Sequence, residues 1–360
     1  MVPGSIPKII LGAFCDKRLF LMGMLRHKNI KIFLNYWLGP VIFIWLIWSI
    51  YNQVRNQPDL ASSAESIFSA LSGSAAWKFW TVIVLMFVNW GLESIKWKVL
   101  HESFHHMSRL RALKAVLAGV AFAINTPNRI GEYGGRVLYM PEGKRLQSVS
   151  LTIIGSYSQL MITMMAGTTG MWLLYSGSLA VHVPETWGSF VLWMRILCIL
   201  LTTITLLLLL VYLRISWMVR LIERLPGVEK WGKALFVIDH LPVTILLRVL
   251  GWSLLRYVVF LFQYILLLQC FGVTNDSWTA SWLISIQFVV LAIIPTIALA
   301  EVGIRGKLAL ELFGWISANQ VGIISAAVSL WLVNLVVPAL IGSLLIMRIK
   351  IFTDRVPQEK

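Results

Sequence analysis

The sequence predicts an all-α polytopic membrane protein, and three observations support this. Of the 360 residues, 58% are hydrophobic and only 13% are charged, whereas a soluble domain carries about a quarter charged residues. Long apolar runs recur along the chain, and each is long enough to cross about 30 Å of hydrocarbon as a helix. No segment alternates polar and apolar residues over about ten positions, as membrane barrel strands do. Because backbone polar groups in lipid must be satisfied internally, the spans are expected to be helices.

Six apolar runs are predicted to be full spans, and two further apolar segments are interrupted. Segment 112–140 contains Pro127 and segment 279–314 contains Pro295, and each proline is followed by glycines. Non-helical backbone at membrane depth is tolerated only inside protein or beside a watery cavity. We therefore expect both segments to be re-entrant hairpins. The six predicted spans are 32–52, 78–98, 150–176, 189–213, 243–270 and 318–347.

The distribution of basic residues predicts the orientation of the spans. The net charge is +15, and Lys and Arg are concentrated in five segments that hold 22 of them, whereas three other connectors together hold one. Since Lys and Arg are enriched on the cytoplasmic side, both termini are predicted to be cytoplasmic, in a bacterial cytoplasmic membrane. The basic segments are 1–31, 96–114, 141–149, 214–242 and 348–360, and the other connectors are 53–77, 177–188 and 271–278.

This orientation requires each broken segment to enter and leave the membrane on one side, which predicts an inverted repeat. The order span, span, hairpin, span then occurs twice, and an odd number of spans inverts the second copy. In support, the run from Glu132 to Arg136 matches the run from Glu301 to Arg305 at Glu, Gly and Arg, each 169 positions later. Inverted repeats with broken helices near the midplane are typical of transporters. The predicted units are a basic cytoplasmic segment 1–31, a first repeat 32–177, a second repeat 178–347 and a basic cytoplasmic tail 348–360.

The matched charges of the two broken segments are the first candidate site residues. Glu132 and Arg136, like Glu301 and Arg305, stand four positions apart, which places them on one helix face with Glu first, the favourable order. Charge within a membrane usually marks a substrate or ion path, and with Arg129 the excess positive charge next to helix N-termini suits a phosphate. The alternative is that each pair only neutralises itself.

Span 78–98 carries a second candidate pair, Asn89 and Glu93, also four positions apart. Both need polar partners, and Arg136 is a candidate partner for Glu93; pocket lining and structural hydrogen bonding are equally open. The following Lys96-Trp97-Lys98 is predicted to anchor the span at the membrane interface. Four further intramembrane polar residues are predicted to form interhelical hydrogen bonds. They are Arg256, Gln263, Gln287 and Asn334.

One motif suggests metal chemistry. The run from His101 to His105 matches H-E-x-x-H, which on one helix presents two imidazoles to zinc with Glu102 as the base. No third ligand is recognisable, and several basic residues follow, so we expect a polar connector that faces lipid headgroups. The chain has no G-x-x-x-x-G-K-[ST] loop for nucleoside triphosphates, and its three cysteines are widely spaced. No catalytic residue, cofactor or metal is expected.

The run Asn125–Arg136 (NTPNRIGEYGGR) resembles the signature of the lysylphosphatidylglycerol synthase transmembrane-region family. The stretch from Pro295 to Arg305 is similar to that family's C-terminal segment, although Gly306 stands where we would expect an acid in many members. The resemblance covers roughly residues 30–350. It implies movement of an amphiphilic lipid between leaflets, or handling of a polyprenyl-linked intermediate. It does not imply lysylphosphatidylglycerol synthesis, which belongs to a separate soluble domain.

Together these observations predict a flippase or transporter, without catalytic activity of its own, for an anionic or amphiphilic lipid of phospholipid or polyprenyl-phosphate type. The expected partners are anionic membrane lipids, with a second copy of the chain or lipid-synthesis enzymes as further candidates, and no nucleic acid. Two alternatives stay open: a membrane-embedded transferase or hydrolase acting on a lipid headgroup, and a non-transporting scaffold. The predicted substrate-binding residues are Asn89, Glu93, Arg129, Glu132, Arg136, Glu301 and Arg305.

Overall fold

A computed structural model describes most of the chain beyond residue 59 and five single positions before it. The described residues form helices and no strand. The described positions are 41, 44, 45, 48, 51, 60–102, 104–124, 126, 129–179, 181, 191–223, 237–294 and 298–347.

The helices are numbered in chain order. Those before residue 180 are α1 (Leu60–Ser72), α2 (Ala76–His101), α3 (Arg109–Ala123), α4 (Gly131–Val137) and α5 (Arg145–Tyr175). Those after it are α6 (Val191–Leu213), α7 (Ile215–Glu223), α8 (Val243–Cys270), α9 (Ser277–Ile293), α10 (Ala298–Phe313), α11 (Gln320–Trp331) and α12 (Val337–Ile346). A 3₁₀ turn at Glu142–Lys144 precedes α5, and a π-helical turn at Leu332–Val336 joins α11 to α12.

Five of the described helical segments are long and apolar enough to cross a membrane, which confirms the helical membrane class. They correspond to five of the six predicted spans, and the first predicted span, 32–52, lies almost entirely outside the described residues. The connector 53–77 contains a helix that was not predicted, α1, which packs against α11. The five segments are Ala76–His101, Glu142–Tyr175, Val191–Leu213, Val243–Cys270 and Gln320–Ile346.

Both interrupted segments form a helix, a break and a second helix. In the first, α3 and α4 pack against each other, and the Lys144 ammonium donates to the Phe104 carbonyl oxygen at 2.7 Å. In the second, α9 contacts α10, and the Asn319 amide donates to the Phe271 carbonyl oxygen at 3.0 Å. Phe104 and Lys144 flank the first segment, and Phe271 and Asn319 flank the second. Each broken segment therefore begins and ends at the same end of the helix bundle.

We call the helix before each break the first arm and the helix after it the second arm. The first arm of each broken segment packs against the last helix of the other half of the chain. Arm α3 packs against α12, and arm α9 packs against α5. Glycines allow both approaches: a Cβ on Gly342 would lie 2.0 Å from the Leu117 carbonyl oxygen, and one on Gly167 would lie 2.5 Å from Val289 Cβ. Helix α2 packs along α8, and it also contacts α3 and α5. This arrangement brings polar residues of both halves of the chain next to one another.

Candidate functional site

Glu93 on α2 is the centre of a buried group of ion pairs. Its side chain is 4% exposed, and its two oxygens meet three cations. Oε2 lies 2.7 Å from Lys96 Nζ and 2.7 Å from Arg256 Nη1, and Oε1 lies 2.8 Å from Arg136 Nη2. Because Lys96 stands on α2, Arg136 on α4 and Arg256 on α8, this one carboxylate joins three helices from both halves of the chain.

Two further charged residues extend this group towards the break of the first hairpin. Arg136 also pairs with Glu132, one turn before it on α4. Glu132 Oε2 lies 4.0 Å from Arg129 Nε, and the Arg129 side chain is 43% exposed. We call these six residues the charge cluster; they are Glu93, Lys96, Arg129, Glu132, Arg136 and Arg256.

The charge cluster brings together most of the site residues predicted from sequence. The proposed partnership of Glu93 with Arg136 is confirmed by their ion pair. Asn89 joins the cluster because its Oδ1 accepts from Arg256 Nε at 2.6 Å. The side chain of Glu301 lies outside the described part of the chain, so its pairing with Arg305 stays a prediction.

The prediction that Lys96 and Trp97 face the membrane interface as an anchor is wrong. Both are almost fully buried, because their helix face is turned towards α5. Lys96 Nζ donates to the Gly155 carbonyl oxygen at 3.2 Å, and Trp97 Nε1 donates to Thr152 Oγ1 at 3.0 Å. The signal that could have identified Lys96 was Glu93 three positions earlier, since that spacing places the two on one helix face.

Arg256 is the member of the charge cluster that sequence reasoning underrated. Besides its bonds to Glu93 and Asn89, its guanidinium lies 5.1 Å from the Trp90 ring centroid and 5.3 Å from that of Phe260. Such contacts stabilise a cation in a desolvated site. A single intramembrane Arg in α8 carried no local signal of this role, because its partners Asn89 and Glu93 lie more than 160 positions away.

Three arginines line one cavity of about 520 Å³, which we call the cationic cavity. They are Arg129 from the first broken segment, Arg256 from α8 and Arg305 from the second broken segment. No carboxylate belongs to the described residues that line it, and neither Glu132 nor Arg136 does. Most of its wall is apolar, and its other polar side chains include Gln159, Thr163 and Asn334.

Arg129 has an unusual backbone at this cavity. Its φ is +58°, the only positive value at a non-glycine residue in the described chain. Such a conformation costs about 1–3 kcal/mol and is concentrated at ligand sites and switches. The local hydrogen bonds that hold it come from Thr126: its carbonyl oxygen accepts from Arg129 N at 3.1 Å, and its hydroxyl accepts from Gly131 N at 2.8 Å. The break of the first hairpin therefore fixes the backbone from which a cation reaches the cavity.

A second cavity of about 710 Å³, which we call the apolar groove, lies between α5, α8 and α9. Its wall is almost entirely apolar and includes Trp278 and Trp282. Tyr257 lines both the apolar groove and the cationic cavity. Its hydroxyl lies 2.6 Å from Ser285 Oγ, so it is held at the boundary between the two.

The H-E-x-x-H run does not form the paired-imidazole arrangement. Helix α2 ends at His101, so His105 does not share a helix face with it. The prediction that His101 faces headgroups is also wrong, because His101 is fully buried. Its Nδ1–H donates to the Trp97 carbonyl oxygen at 2.7 Å, and its Nε2 accepts from the Ser148 hydroxyl at 2.8 Å. Among the described residues, no group of three or more His, Cys, Asp or Glu could hold a metal ion.

The remaining predicted polar residues have different roles. Gln263 and Gln287 form interhelical hydrogen bonds, to the carbonyl oxygens of Val82 at 2.9 Å and Arg305 at 3.3 Å, as predicted. Asn334 instead donates within its own helix to the Leu330 carbonyl oxygen, at 3.3 Å, and lines the cationic cavity.

The chain matches no protein-family model, no curated protein and no solved structure. The chemistry of the two cavities is therefore the basis of its proposed function.

Proposed function

We propose that this protein is a flippase or transporter that moves an anionic or amphiphilic lipid, of phospholipid or polyprenyl-phosphate type, between the two leaflets of a bacterial cytoplasmic membrane. The observation that carries the proposal is the cationic cavity, in which both broken segments and α8 each contribute an arginine to an otherwise mostly apolar wall. Guanidinium groups bind phosphate oxygens with two parallel hydrogen bonds, and apolar walls exclude competing water.

The apolar groove supports an amphiphilic ligand rather than a small soluble anion. It adjoins the cationic cavity at Tyr257 and offers about 710 Å³ of largely apolar space. A lipid whose headgroup occupies the cationic cavity would place a hydrocarbon chain in the groove without burying polar groups against it. The two cavities together match the two chemically different ends of one lipid.

The transport mechanism in this proposal rests on an inverted repeat with six spans and two re-entrant hairpins. Two observations favour it. Each broken segment begins and ends at one end of the bundle, and α3 packs against α12 as α9 packs against α5. In such repeats, alternating access arises when one repeat rocks against the other around a site near the midplane.

Cysteine labelling tests this topology. In a variant without native cysteines, we expect single cysteines at Ser178 and Asn275 to react with an impermeant reagent in intact cells. Cysteines at Ser108 and Gly143 should react only after the membrane is permeabilised. All four positions are exposed. Labelling of Gly143→Cys from outside would make the first hairpin a full span and remove the inverted repeat.

Lipid movement tests the function. Purified protein should be reconstituted into vesicles with trace fluorescent phosphatidylglycerol, and transfer between leaflets followed by chemical quenching. We expect transfer well above that of protein-free vesicles, and at least about tenfold less with Arg129→Gln, which removes a charged hydrogen-bond donor worth about 1.5–3 kcal/mol. Arg109→Gln, an exposed cation outside the cavity, is the matched control. Failure to bind or move any anionic lipid across a broad panel would refute the proposal.

The same vesicles test the two alternatives. A membrane-embedded enzyme would change the mass of the lipid headgroup, which mass spectrometry of the extracted lipids detects. Its best support in the sequence was the His101–His105 run, and His101 is buried with both ring nitrogens hydrogen-bonded. A scaffold would bind lipid without transferring it, and would keep its biological activity when Arg129 is changed.

A further inference from the structure

The charge cluster holds more positive than negative charge. Its ion pairs join four cations to two carboxylates, which leaves an excess of two positive charges. Arg305 is left out of this count because Glu301, one turn before it on α10, has no described side chain. The cations are Lys96, Arg129, Arg136 and Arg256, and the carboxylates are Glu93 and Glu132.

The excess charge is directed into the cationic cavity. Lys96 and Arg136 are buried against Glu93 and Glu132 and do not line it. Arg129 and Arg256 line it, and their carboxylate partners do not. Arg129 is held least tightly, by one contact at 4.0 Å to Glu132. Uncompensated charge is unfavourable in a poorly solvated position such as that of Arg256, whose side chain is 11% exposed. A ligand that supplies two negative charges would balance the cluster.

From this we propose, on the basis of the function proposed above, that the cationic cavity selects a lipid whose headgroup carries two negative charges. A terminal phosphate, or a diphosphate esterified at both ends, has that charge, whereas the phosphodiester of an ordinary glycerophospholipid carries one. A phosphomonoester has its second pKa near about 6 and therefore bears close to two charges at pH 8.

The hydrogen-bond donors of the cavity favour the same headgroup. The guanidinium groups of Arg129 and Arg256 line the cavity, and each carries several N–H donors. A terminal phosphate presents three oxygens as acceptors, and a phosphodiester presents two unesterified ones. Three acceptor oxygens suit two guanidinium groups better than two do.

A competition experiment tests this selection. Full-length protein in nanodiscs of neutral phosphatidylcholine should be titrated at pH 8 with dioctanoyl phosphatidic acid and with dioctanoyl phosphatidylglycerol, and bound lipid counted by native mass spectrometry. We expect phosphatidic acid to bind about tenfold tighter or more, the range for hydrogen bonds to charged groups. Inorganic phosphate at the same concentrations should not displace it. Displacement by inorganic phosphate at equal concentration would overturn a lipid as the source of the phosphate.

Variants of Arg129 test whether the charge of the cavity, rather than another property of the headgroup, causes the preference for phosphatidic acid. Arg129→Gln lowers the excess to one positive charge and should reduce the preference for phosphatidic acid to about threefold or less. Arg129→Lys retains the charge and should retain the preference, as should the control Arg109→Gln. Equal binding of both lipids by the wild type, or an unchanged preference in Arg129→Gln, overturns the selection while leaving lipid transport intact. Binding of neither lipid overturns both.

Discussion

Both broken segments carry a glutamate followed four positions later by an arginine, yet the structure uses the two arginines differently. Arg136 is buried between Glu93 and Glu132, whereas Arg305 is half-buried and lines the cationic cavity. The second arms differ too, since α4 has 7 residues and α10 has 16. The short arm has little apolar surface to bury, and ion pairs hold it in place. The long arm buries Val302, Ala309, Leu312 and Phe313. A repeated motif therefore does not carry a repeated role.

The sharpest test of the first segment's dependence on ion pairs is Glu93→Gln. We expect it to lower stability more than any other single substitution in the charge cluster, because three cations lose their shared carboxylate. Breaking a buried ion pair typically costs about 3–5 kcal/mol. The free energy of unfolding should be measured by denaturant titration in detergent micelles, with Glu102→Gln, an exposed acid at the end of α2, as control. A loss below about 1 kcal/mol would contradict the central position of this carboxylate.

The Glu132–Arg136 pair should show a smaller loss that a second change reverses. Glu132→Gln leaves Arg136 with Glu93, and Arg136→Gln leaves Glu93 with Lys96 and Arg256, so each should cost about 1–3 kcal/mol. The double variant leaves no lone buried charge, since Arg129, which also loses its contact with Glu132, is 43% exposed, and it should regain most of this stability. Because neither residue lines the cationic cavity, we expect it to move lipid as the wild type does. A well-folded but inactive double variant would instead assign these residues to ligand binding.

Paired glycine variants compare the contact between α3 and α12 with the contact between α9 and α5. Gly342→Ala and Gly167→Ala should destabilise the protein to a similar extent, by about 1–3 kcal/mol, because each added Cβ overlaps the arm of the opposite half. Gly91→Ala is the control, since its Cβ would meet nothing within 4 Å. Thermal unfolding of the three variants in one detergent gives the comparison. Destabilisation by only one of the two would argue against equivalent roles in an inverted repeat.

The smallest effect should come from the caps that start the first arms. Ser108 accepts from Arg111 N at the start of α3, and Asp276 accepts from Trp278 N and Thr279 N at the start of α9. Replacement of either by Ala should cost about 0.5–2 kcal/mol. Only the Asp276 contribution should depend on pH. Hydrogen bonding to Thr279 lowers the pKa of the Asp276 carboxyl in the folded protein.

The sign of that dependence follows from the lowered pKa. The stabilisation by Asp276 should be fully present above the unfolded-state value of about 3.9 and should be lost as the pH falls through the lower folded-state value. Stability of the wild type and of Asp276→Asn, which keeps an amide oxygen as cap, should be compared between pH 7 and pH 3. Equal pH slopes in the two proteins would contradict an ionised cap.

The sequence predicted the helical class, five of the spans and the position of both breaks, because these depend on local composition. It also predicted that Glu93 pairs with Arg136, since two opposite charges within a membrane have few other polar partners available. It did not predict the burial of Lys96 and His101, which depends on how far α2 rotates towards α5. Nor did it identify Arg256 as part of the site, because that contact joins residues from opposite halves, and hydropathy does not reveal which distant helices touch.

The π-helical turn at Leu332–Val336 makes the cavity depend on residue count as well as residue identity. Such a turn inserts one residue into a regular helix, which rotates everything beyond it by about 100°. Asn334 and Trp331 at or before the turn line the cationic cavity, while Gly342 beyond it meets Leu117 on α3. The extra residue thus sets the rotation between the surface that lines the cationic cavity and the surface that packs against α3, on one continuous helical segment. A substitution there leaves both surfaces in register, whereas losing a single residue would turn one of them away.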